Sequence, residues 1–145
     1  NFLTRLPLMF TYIPFIIFIL ITLFHFYMGF GGKLNYEYVL PKMNGKDLPF
    51  HSAMALPVAV LLTISTLAFG FETGLISNSI LGQFNQPWLL ITAAGLVFRG
   101  IFGFILFHAL NKLIDDTLFK GWDLRLYSPL TLYLGISSFI ALGLI

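Results

Sequence analysis

Arg99 is the one formal charge in the stretch AAGLVFRGIFGF, residues 93–104, and no other charge lies within ten residues on either side. A guanidinium carries five N–H donors in a rigid fork, which suits carboxylates, phosphates and carbonyl oxygens. Gly95 and Gly103 stand four residues before and after it, so on a helix the three share a face. The pattern GxxxRxxxG makes a shallow groove with a charge in its floor. Two readings stay open. Small residues let a neighbouring helix come close, and its polar groups then satisfy the arginine. The same groove admits the head group of a lipid or quinone-like molecule.

The remaining chemistry-bearing residues are few. His25, His51 and His108 fall toward one end of the helices drawn below, and Asp123, Tyr127 and Ser128 join them from the last connection. Histidines with a carboxylate can ligate a metal or pass protons. These histidines share no ligand spacing such as HxxxH, so no metal site is expected. His25, Asp123 and Tyr127 are the only candidates for an acid and a base. They do not spell out a reaction, so no catalytic residue is assigned and a non-enzyme is favoured. Asp115-Asp116 reads as a solvated helix end, because no second acidic pair follows. GFGGK at 29–33 follows an apolar helix rather than a strand, which argues against a nucleotide loop. There is no cysteine, which removes disulfides and thiol chemistry together.

The elements that must position these residues follow from composition. The 145 residues are 58% hydrophobic and 10% charged, with mean hydropathy +0.90. A soluble domain carries about 25% charged residues, so water is a poor solvent for this surface. No Asp, Glu, Lys or Arg lies between Arg5 and Lys33, between Asp47 and Glu72, or after Arg125, and only Arg99 interrupts the window from Glu72 to Lys112. A membrane span needs about 20 mostly apolar residues, and each window holds one. We therefore expect an all-α fold, an integral membrane four-helix bundle forming one domain over residues 1–145. The helices are placed at about 8–30, 52–71, 87–112 and 127–145, the last two opened by Pro87 and Pro129 as proline does at a first turn. The first apolar run is too long, and too aromatic at its end, for a cleaved leader. From Trp88 to Arg99 is about 16 Å at 1.5 Å per residue, which puts the arginine near mid-span. Gly70 and Gly74 form a further GxxxG in the second helix.

Loop charge sets an orientation. Lys33, Lys42 and Lys46 lie in the first loop and Lys112, Lys120 and Arg125 in the third, while the second has no basic residue. Basic loops stay cytoplasmic, so loops one and three are expected inside and both termini outside. Basic patches with interleaved aromatics are absent, so no nucleic-acid partner is expected.

HFYMGFGGK at 25–33, LPKMNGKDLPF at 40–50, FRGIFGF at 98–104 and FKGWDLRLYSPLTLYLG at 119–135 occur in that order. Together they resemble a small bacterial four-helix membrane family known only as a domain of unknown function. The resemblance covers nearly the whole chain. It implies signature positions at His25, Tyr27, Gly31, Gly32, Arg99, Asp123, Tyr127, Ser128 and Pro129, and a bacterial cytoplasmic membrane location. Met28 replaces a tryptophan of that pattern. Gly103 stands where the family pattern Arg-x-x-Gly-Asp has aspartate, so a helix-internal ion pair is lost and Arg99 needs another partner.

These features lead to one expected picture. His25, Tyr27, Asp123, Tyr127 and Ser128 lie near one interface with Arg99 below them, in a polar network that locks the bundle or holds an amphipathic ligand. The favoured function is a non-catalytic accessory or structural component packing against a larger membrane complex. The alternatives are lipid- or quinone-like ligand binding at Arg99, and a small oligomeric transporter or channel. The expected partners are the bilayer and a membrane protein or second copy. No cofactor is expected beyond a bound lipid.

Overall fold

The computed structural model describes residues 8–33, 38, 42–43, 46–47, 52–77, 82–109 and 118–145. The architecture is helical. α1 (Ile13–Gly29) is entered through a π-helical turn, Leu8–Tyr12, and α2 (Ala55–Glu72) through a 3₁₀ turn, Ser52–Met54. α3 spans Gly82–Ala109. α4 (Leu118–Trp122), a π-helical turn Asp123–Tyr127 and α5 (Ser128–Ala141) form one continuous run. Between α1 and α2, Lys42–Met43 (β1) and Lys46–Asp47 (β2) pair as a minimal antiparallel hairpin.

Three segments, Met9–Gly29, Ser52–Glu72 and Phe84–Ile105, are long and apolar enough to cross a membrane. The fourth helix departs from expectation. Its α-helical part, Ser128–Ala141, has 14 residues, about 21 Å at 1.5 Å per residue. It is extended at its N-terminal end through residues 118–127, which include Lys120, Asp123 and Arg125. α3 also starts earlier than expected. Pro87 lies inside it rather than opening it. Arg99 lies inside this helix, ten residues before its last residue, Ala109.

α3 and α5 pack most extensively, then α1 and α2, with α2 against α3 joining the two pairs. Small residues set the spacing. A Cβ on Gly135 would meet the Ala93 carbonyl oxygen at 3.0 Å, and one on Gly100 would meet the Ser128 carbonyl oxygen at 3.0 Å. A Cβ on Gly29 would lie 2.7 Å from Leu56 Cγ, across α1 and α2. Phe18, Ala68, Phe69, Leu89 and Leu134 form the buried core, with the Phe18 and Phe69 rings 5.5 Å apart. Hydroxyls also stitch the helices. Thr22 and Thr66 meet at 3.2 Å between α1 and α2, and Ser65 meets Thr92 at 2.9 Å between α2 and α3. The Trp88 indole N–H donates to Ser65 Oγ at 3.1 Å. Gly70 packs against Ile76 and Phe15, whereas Gly74, at φ +74°, has nothing within 4 Å of its Cβ position. Gly74 serves as the left-handed stop after α2 rather than as half of a packing groove.

A candidate polar lock around Arg99

The two π-helical turns share a cause. Each ends two residues before a proline, Pro14 or Pro129. A proline inside a helical run has no N–H to give, and its ring collides with the carbonyl four residues back. For Pro129 that carbonyl belongs to Arg125, inside the widened turn. Widening by one residue lets the helix run past the ring. The Ser128 N–H accordingly donates to the Asp123 carbonyl, five residues back.

This local choice builds the site. On an α-helix, residues five apart point about 140° apart. On the π turn, Asp123 and Ser128 come to the same side. Ser128 Oγ donates to Asp123 Oδ2 at 2.8 Å, and both residues are fully buried. Facing them from α3 is the Arg99 fork. Its Nη2 donates to Asp123 Oδ1 in a direct salt bridge. Its Nη1 reaches Asp123 Oδ2 at 3.5 Å and Ser128 Oγ at 3.4 Å. The fork, the carboxylate and the hydroxyl close a triangle between α3 and the start of α5. Such a bidentate pairing fixes geometry as well as charge.

Gly103 makes the room. A Cβ there would come within 2.6 Å of Arg99 Nη1 and 2.9 Å of Asp123 Oδ2, and against Ser128 Oγ. Gly103 is thus the gap through which the carboxylate of another helix meets the arginine. Gly95, expected to share the groove, has nothing within 4 Å of its Cβ position. Eight residues carry a helix about 80° past two full turns, so Gly95 and Gly103 diverge. Gly100 takes the place assigned to Gly95, against Leu132 and the Ser128 carbonyl.

The other expected members are placed elsewhere. His25 Nδ1 donates to the Ile21 carbonyl of its own helix at 2.8 Å. The Tyr27 hydroxyl donates to the Lys33 carbonyl at 3.3 Å, and its ring covers Gly32. The Tyr127 hydroxyl donates to the Tyr38 carbonyl at 3.2 Å, and the Tyr38 ring stands edge-on to Trp122 at 6.5 Å. Tyr38 thus meets the start of the fourth helix, and its sequence context carries no signal of this role. His51 and Asp115-Asp116 lie outside the described residues, as does the side chain of His108. Among the described residues, no three His, Asp or Glu side chains gather to hold a metal.

A second tie was also missed. The Tyr133 hydroxyl donates to the Met9 carbonyl in the first π turn, and the Phe10 and Tyr133 rings lie 6.3 Å apart. Pro14, five residues after Met9, has no N–H to offer that carbonyl. The phenol supplies a donor in its place.

Residues 18–138 match the model of the family described as Protein of unknown function (DUF3995). No curated protein and no solved structure matches the chain.

Proposed function

The chain belongs to this DUF3995 family, whose description assigns no activity, and we propose from the geometry that it is a small polytopic membrane protein with a non-catalytic, structural role. One observation carries the reading: the guanidinium of Arg99 closes on a fully buried carboxylate of the same chain. An arginine placed within a span costs about 2.5–3.5 kcal/mol on insertion scales. Asp123 offsets that cost internally, and the pair fastens α3 to the fourth helix. The cation is thereby committed to holding the helices together rather than to an acid, a base or a nucleophile.

On this reading the fold sits in the bacterial cytoplasmic membrane, loops one and three inside, both termini outside. The basic residues of those loops support the orientation. Tyr38, Trp122 and Tyr127 cluster at that end as an aromatic belt does at either membrane–water interface, which supports the depth and not the sidedness. The outward faces of the helices are apolar; Ile16, Leu20, Leu23, Ile91 and Phe98 are each more than half exposed. They suit lipid on one side and a larger membrane complex, to which the chain is an accessory, on another. Purification from native membranes in mild detergent, with mass spectrometry of all retained protein, tests this reading. A partner at fixed stoichiometry is the expected result; a monodisperse chain with no protein partner overturns the accessory role.

A second reading rests on a specific observation. The Arg99 side chain stays 42% exposed while Asp123 is fully buried. Part of the guanidinium therefore remains open to a carbonyl or phosphate oxygen of a lipid- or quinone-like ligand. Ligand density against the open edge of Arg99 would favour it.

A further inference from the structure

A cleft of about 420 Å³ opens between α2 and α3, remote from the Arg99 site. Ile64, Ala68 and Phe71 wall it on α2, and Trp88 and Ile91 on α3. Its volume lies in the range of about 300–1,000 Å³ typical of small-molecule sites. The indole N–H of Trp88 is taken by Ser65. Asn85 is the one remaining polar side chain in the wall. It is 9% exposed, and its amide has no hydrogen-bond partner among the described residues.

A buried amide without partners is costly and calls for an explanation. A water is a poor one, because it needs about two to four polar neighbours and the remaining wall is hydrocarbon and aromatic. The position of Asn85 points elsewhere. It is the fourth residue of α3, beside Gln86 and just ahead of the apolar run that begins at Trp88. In a bilayer that is the depth of the glycerol esters. Ile91 lies six residues deeper, about 9 Å. The mouth is lateral: Phe84 and Ile91 are 64% and 66% exposed, so the cleft faces what surrounds the helices. One hydrogen-bonding group at ester depth above an apolar trough matches a molecule with the same division.

We propose that this cleft seats one acyl chain of a glycerophospholipid, with the Asn85 amide donating to its ester carbonyl. The inference rests on the membrane reading but not on the role of Arg99. A neutral amide recognises the ester and not the head group.

The test uses the full chain carrying Trp122→Phe, which leaves Trp88 as the one tryptophan. It is reconstituted in phosphatidylcholine vesicles with rising fractions of phosphatidylcholine brominated on one acyl chain. Trp88 quenching is expected to saturate at low fractions of the brominated lipid, and Ala68→Phe, which fills the trough, is expected to abolish that saturating phase. Native mass spectrometry from mild detergent is expected to show one phospholipid retained per chain. Asn85→Leu should lower that retention about tenfold, the loss of one hydrogen bond. Because Asn85→Leu removes an unpaired amide from an apolar wall, it keeps the fold and preserves the test if Ala68→Phe does not fold. Equal lipid retention by Asn85→Leu, or quenching that rises only in proportion to bulk lipid, overturns the proposal. Flotation separates the two failures. A chain that does not float with vesicles defeats the membrane reading as well, whereas one that floats without site-specific quenching defeats the lipid seat alone.

Discussion

Asp123 and Ser128, five residues apart on one helical run, meet side chain to side chain at 2.8 Å. The contact exists because the turn between them is π-helical, and the π turn accommodates Pro129. A proline thus sets the direction of a carboxylate six residues before it, and the carboxylate sets where an arginine on another helix can rest.

Pro129→Ala should therefore weaken the protein, although alanine is by far the better helix former. With an N–H restored, the run can relax to α-helical spacing and swing Ser128 away from Asp123. In the wild type, Ser128→Ala should cost about 1 kcal/mol for the lost hydrogen bond. In the Pro129→Ala background the same change should cost close to nothing. Thermal unfolding in detergent of the four proteins checks this, and equal costs in both backgrounds would detach the proline from the lock.

The two glycines flanking Arg99 should behave oppositely. Gly103→Ala drives a methyl against Arg99, Asp123 and Ser128, and should cost about 1–3 kcal/mol as overpacking does. Gly95→Ala meets open space and should be neutral or stabilising by up to about 1 kcal/mol, from helix propensity. Unfolding midpoints of the two variants in one detergent decide it.

Tyr133→Phe keeps the ring against Phe10 and removes the donor to the Met9 carbonyl. We expect a loss of about 1 kcal/mol, with faster hydrogen exchange confined to the first helix. Restoring a backbone donor with Pro14→Ala should make the tyrosine hydroxyl dispensable.

How much of this was legible beforehand depends on which rule each residue obeys. Arg99 stands out because nothing else charged lies near it, and the apolar windows locate the helices around it. Asp123 and Ser128 are noticed as polar residues near one end, but their pairing is hidden, since a period of 3.6 sends them to different faces. Only the proline after them hints at the wider turn. Gly95 and Gly103 look equivalent by spacing, and Gly100 looks incidental; their roles depend on where the fourth helix crosses, a tertiary fact. Pro87 misleads in the other direction, because a proline within a helix near its start reads as the start itself. His25 and Tyr27 share an end with Arg99, yet each settles on a carbonyl of its own neighbourhood. Tyr133 pairs with a residue 124 positions away, beyond any local pattern.

The central claim is that Arg99 and Asp123 act as one closed unit joining α3 to the fourth helix. A double-mutant cycle tests it most directly: thermal stability in a single mild detergent of the wild type, Arg99→Leu, Asp123→Leu and the double variant. Each single change leaves a charge without its partner and should cost about 3 kcal/mol, the low end of the range for buried pairs because Arg99 is partly exposed. The double variant should recover most of that loss, since apolar side chains replace a pair whose burial was itself costly. Single losses that simply add in the double variant, or an Arg99→Leu protein as stable and as abundant in the membrane as the wild type, would contradict the lock.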